Sequence, residues 1–220
     1  MKLLVCGGMG FIGSAFIRNH LNKNPNDQIV NLDNLTTGSN VKNLEKIDES
    51  NYQFINGDIK NHEAVNKITN DIDVIVNFAA ETHVDNSIRD SLPFIKSNVI
   101  GVQSLLEVIR KLKIKFLHVS TDEVYGSIKE GEFIESDKLN PQNPYSATKA
   151  SAEHLIRSYG NTYGINYLIV RPSNNFGPRQ HDEKFLPTII RSLRAGNKIP
   201  IDGEGSNIRD WLYIKDNVRA

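Results

Sequence analysis

The 220-residue sequence predicts an α/β fold built on a doubly wound parallel sheet. Six apolar runs of strand length are separated mostly by segments of helical periodicity, an alternation typical of a parallel sheet with helices on both faces. Ligands of such sheets bind beyond the carboxyl ends of the strands, which is where the distinctive residues of this chain lie. The six predicted strands are residues 3–6, 29–32, 52–55, 74–78, 116–119 and 167–170.

The first predicted strand ends in a glycine-rich turn that leads into a helix. Gly7, Gly10 and Gly13 would allow a tight turn, the close approach of a pyrophosphate and the packing of the helix on the sheet. The helix N-terminus would then face the phosphates of a dinucleotide. A glycine turn without a ligand is the alternative, but the position between first strand and first helix favours a Rossmann-like cofactor site. The predicted contacts are Gly7, Gly10, Phe11, Ile12 and Gly13.

Carboxylates follow the second and third predicted strands. Asp33 stands 20 positions after Gly13, where a carboxylate accepts hydrogen bonds from the ribose hydroxyls of adenosine. It would repel a 2′-phosphate, and no arginine follows it directly, so the sequence favours NAD over NADP. Asp58 could accept a hydrogen bond from the adenine amino group, although a turn aspartate without a ligand is an equal alternative. Asn34 and Ile59 are predicted cofactor contacts beside these acids.

Small residues follow the fourth predicted strand, and a long helix comes next. Ala79 and Ala80 would let the cofactor backbone pass close to the chain. Apolar residues then recur at helical spacing between residues 94 and 109, which predicts a helix packed on the sheet. Asn98, within this helix, is a further predicted cofactor contact.

The fifth predicted strand is followed by a cluster of reactive side chains and then by another helix. Asn143 can cap that helix, and Pro144 suits its first position, where no backbone donor is needed. Tyr145 and Lys149, four residues apart, would lie on one face of it. The cluster at the strand end is Ser120, Thr121, Asp122 and Glu123.

The spacing of Tyr145 and Lys149 has a chemical use. A phenol of ordinary pKa is only about 0.1% ionised at pH 7, so its use as a base costs roughly 4 kcal/mol. A lysine ammonium one turn away, together with a cationic nicotinamide ring, would favour the phenolate. Such a pair suits removal of a hydroxyl proton while hydride leaves the same carbon. Tyr125 and Lys129 have the same separation, but Gly126 between them does not look helical, so that pair is interpreted as coincidence.

Composition excludes several classes of function. Lys plus Arg (26) balance Asp plus Glu (26), so no basic field indicates a nucleic acid or an anionic membrane as partner. The single cysteine, Cys6, excludes a disulfide framework and fits a reducing cytoplasm, where we expect it to be a small core residue. No apolar run reaches membrane-spanning length and no signal peptide is evident, and no metal site is predicted.

Taken together, these motifs resemble those of the extended short-chain dehydrogenase/reductases, and within them the nucleotide-sugar 4,6-dehydratases. The resemblance runs from Lys2 to the last residue. Its most specific motif is Ser-Thr-Asp-Glu-Val-Tyr-Gly at residues 120–126, because related epimerases generally lack the two acids and related decarboxylases usually keep only the second. The dTDP-glucose 4,6-dehydratases are the most similar type, but some UDP-glucose 4,6-dehydratases share the Thr-Asp-Glu motif and UDP stays open. Residues 79–85, 173–178 and 209–213 also look like dehydratase segments.

The resemblance implies a redox-neutral dehydration that uses NAD. Tyr145 would take the proton of the 4-hydroxyl, with Thr121 hydrogen-bonded to that oxygen, while NAD⁺ takes hydride from C4. Glu123 would then take the C5 proton as base, Asp122 would protonate the departing C6 hydroxyl as acid, and the hydride would return to C6. Neighbouring carboxylates in a partly dry site push one pKa upward, so one acid can be protonated while the other is ionised. By resemblance Ser120, Tyr145, Lys149 and Ser173 also contact the cofactor, and Thr121, Asp122, Glu123, Tyr145 and Lys149 form the catalytic set.

The substrate contacts are also implied by resemblance. Arg209 would pair with the diphosphate, a task suited to a forked guanidinium. A solvated surface residue is the alternative for these positions, and His83 could equally be an ordinary loop residue. Residues 179–182 depart from the pattern of related dehydratases, which leaves the nucleotide or hexose preference open. The predicted substrate contacts are His83, Thr121, Asn175, Glu183, Lys184 and Arg209.

Two further expectations concern the extent and assembly of the protein. Residues 1–172 are predicted to form the NAD-binding domain with the catalytic residues, and residues 173–220 to begin a substrate-binding lobe. Asp216 looks like a helix cap four residues before the last one, so the chain is interpreted as an N-terminal fragment with an incomplete substrate lobe. The resemblance suggests a homodimer through helices at 94–112 and 145–158.

Three hypotheses about function therefore remain. The favoured one is a 4,6-dehydratase acting on a nucleotide-diphosphate glucose. A sugar-nucleotide epimerase or decarboxylase is the enzymatic alternative, which the paired Asp122 and Glu123 disfavour. The third is a truncated product that binds NAD without turnover.

Overall fold

The computed structural model of the protein describes residues 1–201 and 203–220 and has a six-stranded parallel sheet at its centre. The strand order is β3-β2-β1-β4-β5-β6, so the order reverses between β1 and β4, the position at which doubly wound sheets bind ligands. All six predicted strands are confirmed, and each end of each strand lies within one residue of its predicted position. The strands are β1 (Lys2–Cys6), β2 (Gln28–Asp33), β3 (Tyr52–Asn56), β4 (Val74–Asn77), β5 (Lys115–Val119) and β6 (Tyr167–Val170).

Helices cover both faces of this sheet because its central strands are apolar on both sides. In β1, Leu3 and Val5 join one buried cluster with Ile17 of the first helix, while Leu4 and Cys6 join the other. This pattern is expected for a strand buried on two faces rather than one. The main helices are α1 (Phe11–Lys23), α2 (His62–Ile68), α3 (Val84–Arg89), α4 (Leu92–Phe94), α5 (Gly101–Leu112) and α6 (Pro144–Tyr163), and short 3₁₀ turns cover Val41–Leu44 and Asp122–Tyr125.

The helix predicted between residues 94 and 109 is interrupted by a different helical form. A π-helical stretch, Ile95–Ile100, joins α4 to α5. Such stretches are rare in proteins, and those that occur are often found at functional sites. The whole run Leu92–Leu112 is 21 residues long and is apolar enough to cross a membrane by length and composition, although half of it is buried inside the protein. The expectation that no apolar run reaches that length therefore needs correction for this helix, which serves as a core helix here.

The last part of the chain forms a second, smaller sheet that the sequence did not predict. Strands β7 (Asn174–Phe176) and β8 (Trp211–Tyr213) pair in parallel, and helix α7 (Phe185–Arg194) lies between them in the chain. The expectation for Asp216 was wrong, since it lies inside the short helix α8 (Ile214–Asn217), whose cap is Tyr213. This helix forms despite its length because it packs on α1, where Asn19 donates to the Val218 carbonyl oxygen. The division of the chain at residue 172 stays a prediction.

Candidate active site

A cavity of about 410 Å³ opens at the carboxyl ends of the parallel strands. Every turn from the one after β1 to the one after β6 contributes to its wall, as the order reversal of the sheet requires. Of the predicted site residues, all but Asn98 and Arg209 line it. Those that do are Gly7, Gly10, Phe11, Ile12, Gly13, Asp33, Asn34, Asp58, Ile59, Ala79, Ala80, His83, Ser120, Thr121, Asp122, Glu123, Tyr145, Lys149, Ser173, Asn175, Glu183 and Lys184.

The glycine turn after β1 has the close backbone packing expected of a phosphate-binding loop. Gly7 adopts φ +78°, and a side chain there would lie 2.6 Å from the Ala79 nitrogen. A Cβ at Gly13 would lie 2.4 Å from the carbonyl oxygen of Gly7, so only glycine allows α1 to approach the turn this closely. Gly10 precedes the helix, whose first N–H groups lack intrahelical partners and face the cavity.

Asp33 is buried at the end of β2 and is held by three hydrogen bonds from its own chain. Its Oδ2 accepts from the Met9 N–H at 2.9 Å, which ties it to the glycine turn. Its Oδ1 accepts from the Leu35 N–H at 2.9 Å and from the Ser39 hydroxyl at 2.8 Å. A carboxylate oxygen can accept two hydrogen bonds, so Oδ2 retains capacity for one ribose hydroxyl.

Asp58 lines the same cavity as Asp33 and is also held by its neighbours. Its Oδ2 is 3.1 Å from both Asn34 Nδ2 and Lys60 Nζ, while Oδ1 accepts from the Lys60 N–H. Burial acts to raise the pKa of Asp58, but the hydrogen bonds from Lys60 and Asn34 leave it lowered overall. The acid therefore stays ionised and available as an acceptor at neutral pH.

Asn98 is not among the residues that line the cavity, so its role as a cofactor contact stays a prediction. Asn98 lies in the π-helical stretch, and its side chain is almost fully buried. Its Oδ1 accepts from the Glu81 N–H at 2.9 Å, and its Nδ2 donates to the Glu81 carbonyl oxygen and to Thr148 Oγ1 at 3.0 Å. Ser97 faces the cavity instead. Asn98 thus fixes the loop after β4 to α6 and acts on the site through that loop.

Thr121 organises the acidic pair that follows β5. Its hydroxyl accepts from the Glu123 N–H at 3.2 Å and donates to Asp122 Oδ1 at 3.1 Å. Burial raises the pKa of Asp122, although the hydrogen bonds from Thr121 and from backbone N–H groups and the charge of Arg209 lower it again in part. The direction was predicted, but the cause is burial rather than repulsion by the neighbouring carboxylate. Asp122 therefore keeps its proton more readily than an exposed aspartate does.

Glu123 is linked directly to the start of α6. Asn143 Nδ2 donates to Glu123 Oε2 at 3.0 Å, while Asn143 Oδ1 accepts from the Ser146 N–H at 2.8 Å. The Asn143 N–H in turn bonds the Ser146 hydroxyl, which completes a capping box. The predicted cap is confirmed, and it has the additional effect of holding the Glu123 carboxylate at the cavity wall.

Tyr145 is buried on the first turn of α6 and faces the acidic pair. Burial raises the pKa of its phenol, the charges of Glu123 and Asp122 raise it further, and a hydrogen bond with Thr121 lowers it. The backbone is fixed by the Ser87 hydroxyl, which accepts from the Tyr145 N–H at 3.2 Å. The free protein therefore holds this residue as a neutral phenol, and ionisation needs help from a bound cation or a proton acceptor.

Lys149 lies one turn further along α6 and is also buried. Its Nζ donates to the Val119 carbonyl oxygen at 2.7 Å and lies 3.4 Å from His118 Nε2. Burial lowers the pKa of Lys149 to about 8, against a smaller opposing effect of Glu153. The sequence predicted an ammonium at this position, and burial makes that ammonium easier to deprotonate than the ammonium of an exposed lysine.

The predicted substrate contacts line the cavity, with the exception of Arg209. Asn175 Oδ1 is buried and has no hydrogen-bond partner among the described residues, so it is available to a ligand. Glu183 lies 3.6 Å from His83 Nε2 and 4.0 Å from Lys184 Nζ. Arg209 is exposed and lies outside the cavity wall, although its charge is close enough to act on Asp122.

The residues present fit a dinucleotide such as NAD. The glycine turn gives the close approach that a pyrophosphate needs, and Asp33 Oδ2 has acceptor capacity to spare. Ser120, next to Thr121 in the chain, supplies a buried hydroxyl that lines the cavity and has no partner among the described residues. A buried polar group without a partner costs free energy, which a bound ligand would relieve.

Sequence reasoning missed several residues that the structure brings to the site. His118, on β5, contacts Lys149. It was missed because the sequence of a strand does not show which side chain of another element a buried histidine will contact. Gln180 lines the cavity and donates to the Asn175 carbonyl oxygen at 2.8 Å. Glu81 also lines it, and its position follows from the Asn98 contacts rather than from a local motif.

Comparison with known proteins agrees with this geometry. The profile of the NAD dependent epimerase/dehydratase family matches residues 3–220. The chain belongs to this family. Family membership confirms the predicted cofactor, NAD, and the Rossmann-like fold class.

Named members of the family are similar over the whole chain. Low-salt glycan biosynthesis protein Agl12 of Haloferax volcanii is 50% identical over 222 residues, which cover 100% of this chain and 71% of that protein. The dTDP-glucose 4,6-dehydratase of Mycobacterium tuberculosis is 40% identical, with coverage of 100% and 67%. Among solved structures, that of DesIV, a dTDP-glucose 4,6-dehydratase from Streptomyces venezuelae with NAD and TYD bound, has a TM-score of 0.96 at 42% identity, with coverage of 100% and 70%.

Proposed function

We propose that this family member is a nucleotide-sugar 4,6-dehydratase, with dTDP-glucose as the favoured substrate. The observation that carries the proposal is the placement of Thr121, Asp122 and Glu123 in one cavity with Tyr145 and Lys149. An oxidation of a sugar hydroxyl needs only the tyrosine, the lysine and a cofactor, whereas an elimination of water needs an acid and a base in addition. This cavity contains both sets.

The cofactor would be held along the sheet edge. The glycine turn and the start of α1 would bind the pyrophosphate, Asp33 the adenosine ribose, and Ser120 and Lys149 the nicotinamide end. Bound NAD supplies a reversible hydride acceptor, which makes the overall reaction redox-neutral.

The first step assigns the proton of the 4-hydroxyl to Tyr145. Thr121 lies close enough to the Tyr145 phenol to lower its pKa, so its hydroxyl would bond the same substrate oxygen. Loss of this proton together with hydride from C4 leaves a ketone at C4. The ketone makes the hydrogen at C5 acidic, which prepares the elimination.

The second step assigns the two ends of the elimination to the acidic pair. Glu123, held by Asn143, removes the C5 proton, while Asp122, whose pKa burial raises, gives its proton to the departing C6 hydroxyl. The proton count balances, because one proton enters Glu123 and one leaves Asp122 as water forms. Return of hydride to C6 and of a proton to C5 then yields the 4-keto-6-deoxy sugar.

Family membership also allows an epimerase, since the family contains both classes. An epimerase returns the hydride to C4 and has no use for an acid and a base at C5 and C6. The position of Asp122 and Glu123 on the cavity wall therefore favours the dehydratase. A decarboxylase is disfavoured for the same reason, and a protein that binds NAD without turnover stays the alternative outside enzymes.

The test is the mass of the product formed from each candidate substrate. The full-length protein is incubated separately with dTDP-glucose, UDP-glucose and a UDP-uronic acid in the presence of NAD. Loss of one water from dTDP-glucose is the expected result. Loss of water from UDP-glucose alone would show that the preferred nucleotide is UDP rather than dTDP. An unchanged mass with altered stereochemistry, or loss of carbon dioxide from the uronic acid, would overturn the proposal of a dehydratase.

The remaining expectations are part of the same proposal. Arg209 is proposed to reach the diphosphate once substrate is bound, and His83, Asn175, Glu183 and Lys184 to contact the sugar nucleotide. The neutral net charge and single buried cysteine support a cytoplasmic protein. The proposed homodimer uses the helices at 94–112 and 145–158, and Ile95 and Ile100 are exposed there.

A further inference from the structure

A chain of hydrogen-bonding groups runs from the loop after β4 through the buried side chains of Asn77 and His118 to Lys149. The Ala79 N–H donates to Asn77 Oδ1 at 3.1 Å, and Asn77 Nδ2 lies 3.2 Å from His118 Nδ1. His118 Nε2 lies 3.4 Å from Lys149 Nζ, which donates to the Val119 carbonyl oxygen. Asn77 and His118 are fully buried, so the contact between their side chains is shielded from water.

The first bond in this chain fixes the orientation of the Asn77 amide. An N–H group needs an acceptor, so the Ala79 N–H requires the amide oxygen on its side and places the NH₂ group against His118 Nδ1. His118 Nδ1 must then accept a hydrogen bond, and the single proton of the neutral imidazole lies on Nε2. An imidazolium would place two donors face to face at Nδ1, and burial together with Lys149 also lowers the pKa of His118 well below its ordinary value.

The His118 tautomer has a consequence for Lys149. An ammonium would direct N–H groups towards the His118 Nε2–H, whereas a neutral amine can accept from Nε2–H through its lone pair and still donate to Val119. We propose that His118, held by Asn77 with its proton on Nε2, is a positioning residue that favours the neutral amine of Lys149 and so allows Lys149 to exchange a proton in the site. The other titratable groups near Lys149 are Glu153, which opposes this effect, and Tyr145 one turn before it.

This inference deepens the proposed function, because it gives the Tyr145 proton a destination. A phenol must lose its proton before it can take one from substrate, and the raised pKa of Tyr145 makes its unaided loss unfavourable. Transfer of that proton to a neutral Lys149 forms a phenolate and an ammonium with no change in net charge. The phenolate then takes the substrate proton. Because burial lowers the pKa of Lys149 to about 8, its neutral amine is far more accessible at pH 7 than that of an ordinary lysine.

The test measures both protonation states by NMR without substrate, so it does not depend on the proposed function. The full chain is labelled with ¹⁵N-histidine and with ¹³C at lysine Cε. We expect His118 to be neutral with Nε2 protonated from acidic to alkaline pH, and Lys149 to titrate at least about one unit below an ordinary lysine. A proton on His118 Nδ1, an imidazolium at neutral pH, or an ordinary Lys149 titration would each overturn the proposal.

A double-mutant cycle separates the tautomer from simple charge effects. Asn77→Asp presents a carboxylate oxygen to His118 Nδ1, so the ring proton should move to Nδ1 and Nε2 should accept from a Lys149 ammonium. The Lys149 titration should then rise by at least about one pH unit. The same substitution in a His118→Phe background should raise it by less than about half as much, because only the direct charge remains. Equal rises in both backgrounds would overturn the role of His118. If either variant does not fold, the His118 tautomer measured by NMR in the unmodified protein still tests the proposal.

Discussion

The Glu123 carboxylate is held by the residue that caps the catalytic helix. Asn143 Nδ2 donates to Glu123 Oε2 at 3.0 Å, and the same amide accepts the Ser146 N–H that starts α6. The base proposed for the elimination is therefore placed by the helix that carries Tyr145, so the groups of the two chemical steps keep a fixed relation to each other.

Substitutions at Asn143 can separate these two roles. Asn143→Ser keeps a capping oxygen but removes the donor to Glu123, so the unfolding free energy should change by only a few tenths of a kcal/mol while dehydration slows by about tenfold or more. Asn143→Ala should also lose the cap, at about 1 kcal/mol. Thermal melts and product formation measure the two effects. A normal rate in Asn143→Ser would show that the contact with Glu123 has no catalytic role.

Cofactor choice is expected to depend on Asp33. Its buried carboxylate has one remaining acceptor site and would repel a 2′-phosphate, so calorimetric titration should show clear preference for NAD over NADP. Asp33→Asn keeps the shape but removes the charge. It should weaken NAD binding by about 10- to 100-fold, as expected for one charge-assisted hydrogen bond, and reduce the discrimination against NADP.

Asp58→Asn is the matched control for that prediction. Asp58 lies in the same cavity but is not placed at the ribose, so its substitution should leave the ratio of NAD to NADP affinity nearly unchanged. Equal or tighter binding of NADP by the unmodified protein would contradict the assignment of Asp33.

The pH dependence of turnover should respond to Arg209. Its positive charge lowers the pKa of Asp122, which must hold a proton to act as the acid. Without that charge the pKa rises, so Asp122 keeps its proton to higher pH. In Arg209→Gln the descending limb of the kcat profile should therefore move to higher pH by roughly a few tenths of a unit, because Arg209 is exposed and screened. Arg209→Lys should keep the original profile, and a shift in both variants would contradict this account.

The exposed apolar side chains of helix α7 should bind an apolar fluorescent dye in the 220-residue chain. None of its residues is buried, and Phe185, Ile190 and Leu193 are each more than half exposed. Such a face commonly marks an interaction surface. We expect Ile190→Lys together with Leu193→Lys to reduce dye fluorescence while the melting temperature stays nearly unchanged. Undiminished dye binding would place the apolar surface elsewhere.

The parts of this structure that sequence could predict are those with a local signal. The six strands, the glycine turn and the Asn143 cap each depend on residues adjacent in the chain, and all were found. Strands β7 and β8 have three residues each, too few for a periodic pattern, and they pair across more than 30 residues. A single long-range pairing of this kind has no local signature.

The site shows the same limit. The residues that line the cavity follow the strands, so their positions could be predicted from the strand order. Asn98 lies in the π-helical stretch, which no local pattern predicted, and its role as a cofactor contact stays a prediction. The environment of Lys149 depends on a buried histidine from another element, and the pKa of Tyr145 depends on burial, neither of which spacing reveals.

The central claim is that Tyr145 acts in the oxidation and that Glu123 acts only in the elimination. In the full-length protein, Tyr145→Phe removes the phenol and should prevent oxidation at C4. Glu123→Gln keeps shape and polarity but cannot take the C5 proton, so elimination should slow by about 10²–10⁴-fold while oxidation continues. A 4-keto hexose that still carries its 6-hydroxyl should then accumulate.

Rapid quenching with borodeuteride tests this directly, because it places deuterium at C4 wherever a ketone had formed. Mass spectrometry of the recovered sugar should show deuterium at C4 of an intact hexose with Glu123→Gln and none with Tyr145→Phe. Deuterium with Tyr145→Phe and none with Glu123→Gln would reverse the two roles, and normal dehydration by both variants would show that residues 121–149 are not the active site.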